Sequence, residues 1–201
     1  MNFGNFTNLI STTANPVILI EGRRAITESG ARDAQRLASM LAEYFPNLRF
    51  RSGNAAGSDE SFSSGVVAVA PERLEIIAPY ATHRKRERHP LVHYESPESL
   101  DSDALEAIQT LTITATPANR GLIKCYGRGG RTGAQAACLI RDTLKVTGIP
   151  QKLAPPIAAL FWIDPADPEA GGTGHTIRVC RNAKIPTVFQ NEWKTWITRL
   201  S

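Results

Sequence analysis

Residues able to grip a phosphate stand beside glycines in this chain, each time just after an apolar run. Gly22 and Arg24 follow Val17–Glu21, and Thr27 and Gly30 come next. Ser52, Gly53, Gly57 and Asp59 follow Leu48–Arg51. Gly171, Gly172, Thr173, Gly174 and His175 come after Ala158–Ile163. A guanidinium holds two phosphate oxygens at once, which suits Arg24 to a clamp. Glycine lets backbone approach a ligand, and a helix that starts there offers free N–H groups to an anion. The three turns together predict one pocket for a phosphate-bearing molecule.

Other residues invite chemistry and are weighed against simpler roles. Asp59 and Glu60 form a carboxylate pair in the first turn of an expected helix, where acids already complement the helix dipole. A carboxylate repels phosphate, so Asp59 is assigned to ribose hydroxyls and Glu60 to no catalytic role. His175 has a titration range suited to acid–base work, although a histidine at a helix start is more often structural. The glycine-rich stretch Gly127–Gly133 carries Arg128 and Arg131 and offers a secondary anion site; it lacks the Gly-Lys-Ser/Thr ending of a Walker loop. Arg141 and Asp142 are read as surface or intrahelical contacts. The cluster Arg84–Arg88 with His83, His89 and His93 is a candidate contact for nucleic-acid phosphates, with Tyr80 and Tyr94 as candidate base-stacking residues. These histidines lack tight ligand spacing, so no metal is expected.

Elements must position these residues. Short apolar runs at Val17–Glu21, Leu48–Arg51, Leu74–Ala78, Ala158–Ile163 and Thr187–Gln190 predict five buried parallel strands. Helical spacing predicts helices over Ala31–Tyr44, Ser58–Val69, Ser99–Thr116, Ala134–Val146, Gly174–Asn182 and Asn191–Leu200. The alternation implies an α/β, Rossmann-like, doubly wound and mostly parallel sheet with helices on both faces. Residues 1–16 read as a loose polar arm and 17–201 as one domain. Residues 79–157 form an irregular middle with an exposed excursion at Tyr80–Pro97.

Composition sets limits. With 201 residues, 42% hydrophobic and 21% charged, the chain suits a globular domain with a sizeable core. No apolar run is long enough to cross a bilayer, and the N-terminus lacks a secretory pattern. A cytoplasmic location is the expectation. The three cysteines are widely spaced and form no metal-ligand pair, which fits a reducing compartment. Cys138 and Cys180 read as small buried residues. A net charge of +4 is compatible with phosphate binding and does not by itself imply nucleic acid.

The first two turns resemble the signatures of the DNA-processing protein A (DprA/Smf) family. Gly22, Arg24, Thr27 and Gly30 match its Gly-Ser/Thr-Arg turn and the following Thr and Gly. Ser52, Gly53, Ala55, Gly57 and Asp59 match its Ser-Gly-x-Ala-Arg-Gly-x-Asp signature, with Ala56 in place of the arginine. The third turn is similar to the late Gly-Gly-Thr of relatives in the SLOG superfamily, which joins DprA to the cytokinin-activating LOG proteins. In LOG proteins this motif reads Pro-Gly-Gly-x-Gly-Thr-x-x-Glu. Here Ala170 precedes the glycines, His175 replaces the threonine and Arg178 stands where the glutamate would be. The resemblance, closest to the DprA-like branch, implies a Rossmann-like fold that binds nucleotides, nucleotide derivatives or single-stranded DNA. It covers residues 17–78 and 158–190.

The expected function is therefore binding of a nucleotide or nucleotide-derived ligand at the carboxyl ends of the strands, in a sensor or a nucleic-acid-processing accessory. The rival expectations are a nucleotide hydrolase of phosphoribohydrolase type, using Asp59, Glu60 or His175, and a DprA-type single-stranded DNA-binding protein. No cofactor and no membrane partner is implied, and self-association is left open.

Overall fold

The computed structural model describes residues 1–200. Its centre is a parallel sheet of six strands in the order β4-β3-β2-β1-β5-β6. The strands are β1 (Val17–Gly22), β2 (Arg49–Ser52), β3 (Leu74–Ile77), β4 (His93–Glu95), β5 (Ala158–Trp162) and β6 (Thr187–Phe189). In register, Ile18 sits beside both Phe50 and Ala158, so β1 is the central strand. The chain lays strands outward from β1 in one direction as far as β4, then returns to place β5 and β6 on the other side. This reversal is the topological switch point at which open α/β sheets bind ligands.

Strand alternation divides the core. Ile18, Ile20, Phe50, Ile76, Leu160 and Val188 point to one face. That face is covered by α1 (Phe3–Thr12), α2 (Glu28–Tyr44), α3 (Ser58–Val67) and α8 (Gln190–Leu200). Leu19, Ala159, Phe161 and Ile77 point to the other. There α4 (Ser102–Ala115), α5 (Arg120–Ile123), α6 (Gly130–Thr147) and α7 (Gly171–Asn182) supply Ala115, Ile123, Leu144, Val146 and Ile177. Six of the helices are those the apolar spacing predicts, with α2, α6 and α7 each starting three or four residues earlier than expected; α1 and the one-turn α5 are not among them.

The sheet has six strands rather than five. The missed strand, β4, pairs with β3 through Ile76 and Tyr94. It is a three-residue edge strand, His-Tyr-Glu, without the apolar run used to find the others. The residues expected to form a loose arm make helix α1, capped by Asn2, whose side chain accepts from Asn5 N. Phe6 and Ile10 are buried, and the Phe6 ring lies 4.7 Å from that of Trp196, centre to centre. Two apolar residues one helical turn apart on a polar segment are enough to dock it.

Candidate ligand-binding site

A cavity of about 820 Å³ opens over the carboxyl end of β1, between α6 and α7. Its volume falls within the range of about 300–1,000 Å³ usual for small-molecule sites. Glu21, Gly22 and Arg24 contribute from β1 and its turn, and Asp59 from the start of α3. Cys138, Arg141, Asp142 and Lys145 contribute from α6; their spacing keeps them on one helix face. Gly171, Gly172 and Thr173 form the opposite wall at the start of α7, with Arg178 and Thr116 behind them.

Three helices that begin at this end of the sheet have no side-chain cap. Gly57 stands at the cap of α3, Gly129 at that of α6 and Ala170 at that of α7. By contrast α2 and α4 are capped by the side chains of Thr27 and Asp101. The first backbone N–H groups of a helix have no intrahelical acceptor. In α7 those of Gly171, Gly172 and Thr173 border the cavity. Arg24 is exposed at the rim and makes no ion pair among the described residues. Its neighbour Arg23 also lines the cavity, but is paired with Asp164.

The floor is a buried network of charges. The Lys145 ammonium donates to Glu21 Oε2 and lies 2.9 Å from Asp142 Oδ1. The Arg141 Nε lies 2.9 Å from the same Asp142 oxygen, and Arg141 Nη1 donates to the Gly53 carbonyl. Asp59 accepts from Gly22 N at 3.1 Å and from Ala55 N at 3.4 Å, tying the first turn to the second. Beneath these, Arg51 joins Glu75 at 2.7 Å and donates to the Lys145 carbonyl at 3.1 Å.

Burial decides the state of Glu21. It pushes the carboxyl up to about 7 against the pull of Lys145, and the Asp59 and Asp142 charges add to the rise. Burial also opposes the charges on Lys145 and Asp142. There it loses: Asp142 and Glu21 hold the ammonium above its usual range, while Arg141 and Lys145 hold Asp142 below.

The structure separates the sequence-predicted site residues. Gly22, Arg24, Asp59, Gly171, Gly172 and Thr173 line the cavity. The others do not, and packing accounts for most of them. Thr27 caps α2 by accepting from Gly30 N at 3.1 Å, and Gly30 backs onto the Trp162 ring. A Cβ on Gly53 would stand 2.4 Å from Arg141 Nη1, and one on Gly57, at φ 87°, 2.1 Å from the Arg24 carbonyl. Gly174 abuts the Glu169 backbone. Ser52 is buried beside Arg51 with an unpartnered hydroxyl. Arg128 and Arg131 are exposed beyond the cavity, and α6 begins at Gly130, inside the expected loop.

His175 is a structural residue here. It is fully buried, with Nδ1 2.9 Å from Thr116 Oγ1 and Nε2 3.0 Å from Thr143 Oγ1. Arg178 donates to the Thr116 hydroxyl from both Nε and Nη2, which fills its lone pairs, so that hydroxyl gives its own proton to Nδ1 and the ring donates from Nε2 to Thr143. Burial lowers its pKa to about 4. Glu60 is exposed and stands outside the cavity, so of the expected acid–base trio only Asp59 borders it. Tyr94 is covered by the Arg88 guanidinium at 4.5 Å, and its hydroxyl accepts from His89 N.

Sequence reasoning missed Glu21, Arg141, Asp142 and Lys145 as site residues. Arg141 and Asp142, read as surface or intrahelical, do pair within α6, but they are buried rather than at the surface, 8% and 4% exposed. The signals were a charged residue closing an apolar strand and a polar stripe at 138, 141, 142 and 145 on a helix whose neighbouring positions are apolar. Arg178 is held by Thr116 and the Glu169 carbonyl, which makes it a strut between α4 and α7. Among the described residues no group of His, Cys, Asp and Glu is arranged to hold a metal ion, and no helix is long and apolar enough to cross a membrane.

No family model and no curated protein sequence matches the chain. Among solved structures it is similar to DNA processing protein A from Helicobacter pylori, described for its single-stranded DNA binding mode. The identity is 13%, the match covers 96% of this chain and 75% of that one, and the TM-score is 0.47.

Proposed function

We propose that this protein binds a nucleotide or nucleotide-derived ligand in the cavity at the β1/β5 switch point. The observation that carries this reading is the pairing of unlike walls around one space. On one side stand the uncapped N–H groups of Gly171–Thr173 and the unpaired guanidinium of Arg24. Below them lie the carboxylates of Glu21, Asp59 and Asp142. Free N–H groups and a guanidinium suit a phosphate, whereas carboxylates accept from hydroxyls and repel phosphate. A molecule carrying both a phosphate and a sugar satisfies both walls. The likeness of Gly22, Arg24 and Asp59 to DprA signature positions supports the same reading.

Thermal shift with AMP, ADP, cyclic nucleotides and ADP-ribose tests it. A ligand present at about 100 times its dissociation constant adds about 2.7 kcal/mol of stability. Failure of every compound in that set to shift the transition overturns the reading.

A second reading, single-stranded DNA binding, draws on a different observation. Lys85, Arg86, Arg120, Lys124, Arg128 and Arg131 are exposed and have no ion-pair partner among the described residues. Binding through such cations weakens steeply with salt, by roughly 0.7 per neutralised phosphate in a log–log plot for single strands. A mobility shift of an oligodeoxynucleotide that is absent at low salt, or insensitive to salt, removes this reading.

A further inference from the structure

The Glu21 side chain has one oxygen committed and one open. Oε2 accepts from Lys145, while Oε1 takes no hydrogen bond within the protein. The residue is only 3% exposed, yet it borders the cavity. Oε1 is not sealed inside the protein: it faces the cavity as an accessible acceptor. Its donor comes from the cavity side, from solvent or from a ligand that replaces it.

The surroundings limit what that donor can be. A cation has no vacancy to fill, because Lys145 already lies between Glu21 and Asp142. A phosphate is repelled, because Asp59 and Asp142 stand beside Glu21. A neutral hydroxyl fits both the electrostatics and the need for a proton. The cavity's anion-favouring groups stand apart, at Gly171–Thr173 and Arg24.

Resting on the nucleotide reading above, we propose that Glu21 is the specificity residue of the cavity, and that its Oε1 accepts from a ribose hydroxyl. The ligand class is then a nucleotide recognised through its 2′- or 3′-hydroxyl, and only a 2′ contact separates ribonucleotides from deoxyribonucleotides. A site built to hydrogen-bond a substrate hydroxyl binds the analogue that lacks it more weakly, because its acceptor then loses that partner in the ligand-filled cavity. The loss of one hydrogen bond to a charged group corresponds to about a tenfold to hundredfold loss of affinity.

Calorimetric titration of the full chain with AMP, 2′-deoxy-AMP and 3′-deoxy-AMP tests the proposal. Titration at pH 8 keeps Glu21 mainly ionised, since its carboxyl titrates at about 7. The expected result is AMP binding tighter than at least one deoxy analogue by about tenfold to a hundredfold. Glu21→Met removes the acceptor, leaves Lys145 paired with Asp142, and brings the affinities together. Glu21→Gln keeps a neutral acceptor and retains part of the preference, which provides the comparison if the Met variant does not fold. Equal affinities of the wild type for AMP and both analogues overturn the proposal and leave the nucleotide reading standing. So does an unchanged preference in a folded Glu21→Met or Glu21→Gln protein. No binding of AMP or either analogue, together with no response to the wider nucleotide set, overturns both.

Discussion

Gly30 lies so close to Trp162 that a methyl group on its Cα would stand 2.4 Å from the indole Cη2. The glycine therefore brings α2 against the end of β5. Gly30→Ala forces extra volume into a filled contact and is expected to cost about 1–3 kcal/mol. Nucleotide affinity of the folded fraction is expected to stay at the wild-type value. Urea denaturation and calorimetry on the same preparation check both halves, and a normal stability with reduced affinity would instead place Gly30 in ligand recognition.

Lys145 holds two buried carboxylates, and its removal leaves both without their shared cation. Lys145→Met is expected to destabilise the fold by about 3–5 kcal/mol, the usual consequence of breaking a buried pair from one side. Adding Glu21→Met to it removes one of the orphaned charges and is expected to recover part of the loss. A double variant no more stable than Lys145→Met would mean that Asp142, and not Glu21, dominates the pairing. Urea midpoints of the wild type, both single variants and the double variant form the cycle that measures this coupling.

The layered fold was legible because most strands are short apolar runs that end at glycine or proline. Val17–Glu21 and Ala158–Ile163 announce themselves in this way. The edge strand His93–Glu95 does not, because it is short and polar and gains its place from pairing with Ile76 and its neighbours. The cavity's upper wall was also legible, since Gly171–Thr173 precede a helix and Arg24 follows a strand-end glycine. Its floor was not. Glu21 and Lys145 are far apart in sequence, and only the docking of α6 over β1 makes them partners. The glycines misled in an informative way. Gly30, Gly53 and Gly57 are required by the Trp162 ring, the Arg141 guanidinium and the Arg24 carbonyl. A glycine needed for close packing and one needed for a ligand look alike in one sequence.

Two buried groups tilt stability against pH in opposite directions. His175 titrates at about 4 in the fold against 6.5 in an open chain, so its contribution is complete above 6.5 and is lost as pH falls towards 4. Glu21 titrates at about 7 against 4.5, so its contribution is complete below 4.5 and is lost as pH rises through 7. Stability measured across this window in His175→Gln should lose part of its acid-side fall. In Glu21→Gln the decline between 4.5 and 7 should flatten. Parallel pH profiles for the wild type and both variants would show that neither group titrates as its surroundings demand.

Arg24 gives the sharpest test of the cavity's upper wall. It is exposed at the rim and free of ion pairs among the described residues, so the fold does not depend on its charge. Arg24→Ala is expected to leave the denaturation midpoint unchanged. If the guanidinium clamps a phosphate, its loss removes a charge-assisted hydrogen bond of roughly 1.5–3 kcal/mol. That equals about a tenfold to hundredfold weaker affinity for AMP. Arg24→Lys should recover only part, because an ammonium cannot reproduce two parallel donors. Adenosine, which has no phosphate, should bind the wild type and Arg24→Ala equally. Arg86→Ala, in the basic excursion, should leave AMP affinity unchanged and weaken only an oligodeoxynucleotide, if one binds. Equal AMP affinity for the wild type and Arg24→Ala, at equal stability, would leave the phosphate to the α7 N-terminus alone and remove Arg24 from the site.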